Sequence, residues 1–137
     1  MFNTTTRIGC YAGQICTVDY DRFRDWASEE DFEFPTALTI FVEYASNHLR
    51  RKTLNTRISS YSWKHEVEHL SKKLAQKYPH YQAEYISNEL FVVAMLQSGF
   101  NIKNTRSTSY SPGPNYYLNI GELPRDWVNR IVERVVL

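Results

Sequence analysis

Five consecutive residues, His65-Glu66-Val67-Glu68-His69, have types and spacing that could support metal chemistry. Two imidazoles four positions apart project from the same face of an α-helix, so both can bind one zinc ion. A carboxylate between them, here Glu66, can then act as general base toward a water molecule on the metal. This chemistry requires a helix that carries the motif and a third ligand from elsewhere in the chain.

A third ligand is available at Glu89, which follows Asn88 and is separated from His69 by nineteen residues. At this spacing the segment resembles the gluzincin peptidases, in which an Asn-Glu pair on the next helix supplies the third zinc ligand. The resemblance implies a zinc metallopeptidase with His65, His69 and Glu89 as metal ligands and Glu66 as the catalytic base. It covers residues 65–89, and four residues carry it.

Other residues of the same segment are typical of a solvated helix face that binds no metal. Glu68 places a second carboxylate inside the motif, where gluzincin helices carry uncharged residues. Lys72 and Ala75 stand where the metzincin continuation of the motif requires Gly and His. Glu89 falls in the first turn of a predicted helix, where a carboxylate interacts favourably with the helix dipole. We therefore expect no catalytic residue and no cofactor, with the zinc peptidase as the alternative.

Apolar residues at helical spacing predict the elements that would position these groups. Helices are expected at 35–49, at 62–77 and from Ser87 to about Ser98, and a last one from Pro124. The helix at 62–77 carries the histidine motif, and its apolar stripe consists of Trp63, Val67, Leu70 and Leu74. Ser87 is a favourable N-cap for the third helix, and Gly99 is a favourable stop.

Strand patterns occur near both ends of the chain. Residues 5–19 alternate weakly and turn near Ala12-Gly13, which predicts a short hairpin, and a short helix is expected at 20–31. Residues 100–106 and 115–120 predict two strands around a polar Ser-Pro-Gly-Pro loop. We predict a single, mainly helical α+β domain over residues 1–137, with a helix-helix-hairpin unit in the order of a winged helix.

Composition excludes several classes of protein. The start of the chain lacks the charged and apolar regions of a signal peptide, and no apolar run approaches the length of a membrane span. Two cysteines, Cys10 and Cys16, do not make a disulfide scaffold. We expect a cytoplasmic protein without a membrane partner.

Charge is unevenly distributed although the net charge is only +1. Residues 19–33 carry a net charge of −5, whereas residues 48–77 carry +6. This segregation predicts a basic face that binds nucleic acid or a protein complex. Its predicted members are Arg50, Arg51, Lys52, Arg57, Lys64, Lys72, Lys73, Lys103 and Arg106.

A winged-helix DNA-binding protein is a second alternative. In that fold the second helix of the unit enters the major groove, and the hairpin contacts the backbone. The corresponding helix here, Glu-Leu-Phe-Val-Val-Ala-Met-Leu-Gln-Ser, is almost entirely apolar and therefore predicts a buried element. Contacts with DNA would then come from the hairpin and from residues 50–57.

Three segments, 59–69, 85–103 and 113–120, resemble small proteins of phages and mobile elements. Those proteins carry Ser-Tyr-x-x-Lys-His-x-x-Glu, then Tyr-x-Ser-Asn, then a strand ending in Asn-Ile, and they commonly have glycine at the position of Glu89. The resemblance implies a polar cluster of Tyr61, Lys64, His65, Glu68, Ser87, Asn88, Asn115 and Asn119. It also implies a non-enzymatic accessory protein that acts by binding a host protein complex, for example to inhibit a host defence nuclease, or nucleic acid.

Overall fold

A computed structural model of the chain describes residues 33–104 and 115–137. The predicted hairpin at 5–19, the helix at 20–31, the Ser-Pro-Gly-Pro loop and Arg106 lie outside these ranges. The described elements are α1 (Thr36–His48), β1 (Arg50–Ser59), α2 (Ser60–Lys77), α3 (Asn88–Gln97), β2 (Ile102–Asn104), β3 (Tyr116–Ile120) and α4 (Trp127–Arg134). The predicted α+β class is confirmed, because four helices and a three-stranded antiparallel sheet form in this part of the chain.

The helices form where the apolar spacing predicts them. α2 begins at Ser60, two residues earlier than expected, and its stripe of Trp63, Val67, Leu70 and Leu74 is fully buried. The Ser87 hydroxyl accepts a hydrogen bond from the backbone N–H of Leu90 at 3.1 Å and so caps α3. The chain leaves α3 through Gly99 at φ +85, a conformation that side chains with a Cβ rarely adopt. None of the helices among the described residues is long and apolar enough to cross a membrane.

Phe41 lies where all four helices meet. Its ring centroid is 6.2 Å from that of Trp63 on α2, 5.9 Å from Phe91 on α3 and 5.6 Å from Trp127 on α4. All four aromatic residues are buried. Tilted and edge-on ring pairs at these distances stabilise the packing beyond the area that they bury. A single side chain of α1 therefore packs against an aromatic residue from each of the other three helices.

The sheet has the order β1-β3-β2, and it contains one strand that the sequence pattern did not predict. The predicted hairpin forms from β2 and β3, which pair antiparallel with Lys103 opposite Tyr117. The third strand, β1, occupies the basic segment that was predicted only as a contact surface. The helix-helix-hairpin order of α2, α3, β2 and β3 is present as expected, and β1 extends its sheet.

β1 pairs irregularly with β3. Arg50 lies opposite Ile120, Asn55 opposite Leu118 and Ser59 opposite Tyr117, with register shifts between the three pairs. The ten residues of β1 therefore lie against only four residues of β3. Some residues of β1 cannot form ladder hydrogen bonds with β3 for this reason.

Two buried asparagines satisfy the backbone groups released by these shifts. Asn55 donates from Nδ2 to the carbonyl of Ile120 at 3.0 Å and accepts from the N–H of Arg57 at 3.1 Å. Asn119 donates from Nδ2 to the carbonyl of Arg51 at 3.0 Å and accepts from the N–H of Asn101 at 2.8 Å. The asparagine side chains therefore supply hydrogen-bond partners to backbone groups in and beside the irregular part of the sheet.

The connection between α2 and α3 is held by a polar network around Tyr81. The buried Ser71 hydroxyl accepts from the N–H of Glu84 at 2.7 Å and lies 3.1 Å from the Tyr81 hydroxyl. Tyr81 donates to Glu84 Oε1, and Glu84 Oε2 accepts from the N–H of Thr36 at 3.4 Å. Burial of the phenol, reinforced by its hydrogen bond to Glu84, raises the pKa of Tyr81 to about 12.

The raised pKa of Tyr81 predicts a loss of stability in alkali. The unfolded chain loses the phenol proton near pH 10, whereas the folded chain keeps it until about pH 12. The contribution of this group to the free energy of unfolding is therefore complete below pH 10 and falls as the pH rises from 10 to 12.

We expect Tyr81→Phe to show a smaller fall in this range, measured as urea unfolding free energy at a series of pH values. Tyr85→Phe is the matched control, because its side chain is 73% exposed, and it should follow the wild type. Identical pH profiles for Tyr81→Phe and the wild type would contradict this account.

Candidate functional site

The histidine motif lies on α2, where the histidines and Glu66 have different surroundings. His65 and His69 are both exposed. His65 Nδ1 lies 3.0 Å from Glu68 Oε1, within the same helix. Glu66 instead accepts a hydrogen bond from the Trp127 indole N–H at 3.2 Å. The carboxylate that would serve as general base therefore joins α2 to α4.

The alternative zinc ligands are His65 and His69 on α2 and Glu89 on α3. No group of three His, Cys, Asp or Glu side chains that could hold a metal ion occurs within residues 33–104 and 115–137. Glu89 lies in the first turn of α3, where the helix dipole favours a carboxylate, and it is partly buried. Glu66 thus joins two helices, and Glu89 lies at a position where a carboxylate stabilises the start of α3.

Lys64 is buried and does not belong to the basic face on which it was predicted. Its side chain is 7% exposed, and Nζ lies 3.2 Å from Glu68 Oε1. The ammonium group also lies 5.2 Å from the ring centroid of Tyr61 and 4.9 Å from that of Tyr85. Lys64 shares a face of α2 with the buried residues Val67 and Ser71, three and seven positions along, and helical geometry therefore turns it inward.

Six of the eight residues in the polar cluster implied by the phage-protein resemblance lie in two different places. Tyr61, Lys64, His65 and Glu68 form one group, and Glu68 Oε2 accepts from the N–H of Ile86 at 3.4 Å. This group lies beside the start of α3, where Ser87 is the cap. Asn119 lies elsewhere, among the bulges of the sheet. Both groups hold neighbouring elements together.

Because the ammonium group of Lys64 is buried, we expect the stability of the fold to depend strongly on Glu68. Glu68→Ala would leave a buried cation without its carboxylate partner, and we expect a loss of about 3 kcal/mol in the free energy of unfolding. Lys64→Met should cost less, because Glu68 is partly exposed and keeps His65 and the N–H of Ile86 as partners. Urea denaturation of the two variants measures this difference. Equal losses of unfolding free energy in the two variants would show that the unpaired charge of Lys64 is not what destabilises Glu68→Ala.

Arg50 and Arg51 carry structural contacts although both are exposed. Arg50 donates to the carbonyls of Gly99 at 3.0 Å and Ser98 at 2.8 Å, and its guanidinium lies 4.0 Å from the Phe100 ring centroid. It therefore joins β1 to the end of α3. Arg51 donates to the carbonyls of Thr53 and Leu54 and to the Thr53 hydroxyl, at 2.9 to 3.1 Å, and so closes the bulge of β1.

The two contacts of Arg50 predict that its replacement affects folding. Charge-assisted hydrogen bonds to carbonyls at the end of a helix contribute about 1–2 kcal/mol together at an exposed position. We expect Arg50→Ala to lower the free energy of unfolding by that amount. Lys52→Ala, two positions along the same strand and exposed, should stay within about 0.5 kcal/mol of the wild type. Thermal and urea unfolding test the pair, and an equal effect at both positions would contradict the role of Arg50.

The exposed side of the sheet carries the basic residues that remain. Ile58 of β1, Ile102 of β2 and Leu118 of β3 face the core. Because side chains alternate along a regular strand, Lys103 and Tyr117 point to the opposite side. The register shifts of β1 interrupt this alternation, so Lys52 and Arg57 are described by their exposure alone. We use the name outer sheet face for Lys103 and Tyr117 on this side together with the exposed β1 residues Lys52 and Arg57. Arg57 also forms an exposed ion pair with Glu122 at 3.5 Å.

Lys72 and Lys73 lie on α2 and not on the sheet. They lie twelve and thirteen residues beyond Ser60, and a rise of about 1.5 Å per residue places Lys72 about 18 Å along α2 from the end of β1. Lys72 is exposed, and Lys73 is partly buried. Of the basic face predicted from sequence, Arg50, Arg51 and Lys64 form contacts within the protein.

α3 is buried along its length, as its apolar sequence predicts. All six residues from Phe91 to Leu96 are buried. A helix that reads a DNA groove needs polar side chains on an exposed face. In this structure the second helix of the helix-helix-hairpin unit is instead part of the core.

Tyr117 is a residue of the outer sheet face to which the sequence analysis gave no role. It occupies the central strand, beside the buried Tyr116 and Leu118, and it is only partly buried itself. The signal was present in the alternation of β3, where every second residue faces the core. That alternation alone does not show which residues of the other strands lie beside Tyr117, because this requires the register that places Lys103 opposite it.

Comparison of the chain with protein-family models, curated proteins and solved structures finds no match.

Proposed function

We propose that this chain is a non-enzymatic binding protein that contacts the phosphate backbone of nucleic acid through its outer sheet face. The class of protein that we propose is the small accessory proteins of phages and mobile elements, on the resemblance of segments 59–69, 85–103 and 113–120. The observation that supports the nucleic-acid proposal is that three exposed cations, Lys52, Arg57 and Lys103, lie on the two outer strands of one three-stranded sheet.

Charge supports this assignment. β1 contains four basic residues and no acidic one. Lysine and arginine side chains that neutralise phosphates release counterions, which drives association without regard to base sequence. The burial of α3 favours backbone contacts from the sheet over base reading by a helix in the major groove. The proposed partner is therefore nucleic acid bound with little sequence preference.

The test compares two variants that change charge equally. Lys52→Glu/Lys103→Glu reverses two charges on the outer sheet face, and Lys72→Glu/Lys73→Glu reverses two on α2. Fluorescence anisotropy would measure binding to labelled single-stranded and duplex DNA of about 30 nucleotides at several salt concentrations.

We expect the sheet variant to bind about tenfold or more weakly and with a shallower salt dependence, because two phosphate contacts become repulsive. The α2 variant should stay within about threefold of the wild type, since long-range electrostatics alone are screened over about 10 Å. Thermal unfolding of both variants controls for damage to the fold.

Absence of binding to either DNA at low salt would contradict the proposal. The predicted alternative partner, a host protein complex, would then be the one to test. An equal loss in the two variants would show that the outer sheet face is not the contact surface.

A further inference from the structure

We propose that His65 and His69 form a two-histidine site on α2 for a divalent transition-metal ion, and that Glu68 orients His65 toward the ion. The chain supplies two ligands, and water fills the remaining coordination positions. The site is independent of the proposed nucleic-acid contact, because it lies on a helix and not on the sheet.

The backbone of α2 places the two imidazoles one turn apart. His65 and His69 are the sixth and tenth of its eighteen residues, so regular helix flanks the pair on both sides. Residues four positions apart on a helix are surface neighbours, with Cβ atoms about 6 Å apart. Both side chains are exposed. The helix therefore presents two imidazoles to solvent at a spacing that lets both bind one ion.

Glu68 determines which nitrogen of His65 can bind the ion. Its Oε1 atom lies 3.0 Å from His65 Nδ1. An ionised carboxylate only accepts hydrogen bonds, so Nδ1 carries the proton and Nε2 of the neutral ring keeps its lone pair. Metal-binding histidines commonly donate their second N–H to a carboxylate, which sets the tautomer and makes the ring a stronger ligand. The contact between Glu68 and His65 matches the outer part of such an arrangement.

Further contacts hold the ring of His65 and the carboxylate of Glu68 in place. The Tyr61 ring lies edge-on to the His65 ring, with the centroids 4.5 Å apart. Glu68 Oε1 lies 3.2 Å from Lys64 Nζ, and Glu68 Oε2 accepts from the N–H of Ile86 at 3.4 Å. One of the two ligands is therefore positioned before an ion binds, which lowers the entropy lost on binding.

His69 supplies a ligand that has no competing partner. It takes part in none of the hydrogen bonds or ion pairs among the residues that the structure describes. Its ring nitrogens therefore do not have to give up a contact when they bind an ion.

The site differs from that of the zinc peptidases in two respects. No third His, Cys, Asp or Glu side chain joins the pair within residues 33–104 and 115–137. Glu66, at the position of the general base, accepts from the indole N–H of Trp127 at 3.2 Å and so belongs to the contact between α2 and α4. The geometry therefore supports reversible binding of an ion and not peptide hydrolysis.

Imidazole nitrogens select the class of ion. They suit Cu²⁺, Ni²⁺ and Zn²⁺, and Cu²⁺ binds such ligands more tightly than Zn²⁺. Mg²⁺ and Ca²⁺ prefer oxygen ligands. A site built from His65 and His69 should therefore bind Cu²⁺ and Zn²⁺ but not Mg²⁺.

The experiment is calorimetric titration of the untagged full chain with Cu²⁺, Zn²⁺ and Mg²⁺ at neutral pH. We expect one Zn²⁺ per chain, tighter binding of Cu²⁺ and no binding of Mg²⁺. His65→Gln and His69→Gln should each weaken Zn²⁺ binding about tenfold or more, since losing a ligand costs at least as much as losing a residue that orients one. His48→Gln and His80→Gln replace exposed histidines elsewhere and should stay within about twofold of the wild type.

The two cysteines require a separate control, because thiolates also bind Zn²⁺. Cys10→Ser/Cys16→Ser should keep the affinity of the wild type. Loss of Zn²⁺ binding in this variant would show that the cysteines hold the ion and would overturn the inference.

Nitrogen-15 NMR of the imidazole rings tests the site in the wild type and does not depend on a variant that could fold poorly. His65 should carry its proton on Nδ1, and Zn²⁺ should shift the ring nitrogens of His65 and His69 but not those of His48 and His80. Glu68→Gln should lower the share of the Nδ1–H tautomer at His65 and weaken Zn²⁺ binding about tenfold. An unchanged tautomer in this variant would show that Glu68 does not orient the ring.

Three results would overturn the two-histidine site and leave the proposed function standing. They are no binding of Cu²⁺ or Zn²⁺ by the wild type, unchanged binding by His65→Gln or His69→Gln, and shifts confined to other histidines. Failure of the wild type to bind DNA would overturn the proposed function alone.

Discussion

The unequal lengths of β1 and β3 are the constraint on which the candidate site depends. Ten residues of β1 lie against four of β3, so part of β1 must leave the ladder. The released backbone groups would be costly if they stayed buried without partners. Asn55 and Asn119 supply those partners, and Arg51 closes the bulge on the solvent side. The shape of the outer sheet face therefore depends on the hydrogen bonds that three polar side chains form with the backbone around one irregular strand.

The basic residues of the chain divide into those that hold the structure and those that remain available to a ligand. Arg50 joins β1 to the end of α3, and Lys64 neutralises Glu68 inside α2. These cations satisfy carbonyls and a carboxylate that the protein itself provides. Lys52 and Lys103 are exposed on the sheet. A count of positive charges along the sequence treats all four alike, although the structure gives them different roles.

The local parts of the fold could be predicted from the sequence, and the non-local parts could not. The stripe on α2, the cap at Ser87 and the stop at Gly99 are set by residues within a few positions. β1 was missed because its bulges remove the alternation that marks a strand. The role of Glu66 was missed because its partner, Trp127, is 61 residues away. The spacing of residues within the His65–His69 motif gives no information about that contact.

The irregular edge formed by β1 also affects how copies of this chain meet. A straight strand at the edge of a sheet exposes backbone groups that can pair with a strand of another molecule. Here one edge strand is bent and carries four positive charges, and the other, β2, has only three residues. Neither edge offers a long, flat and neutral template for a second chain. The features that expose cations to a ligand thus also oppose aggregation through strand addition.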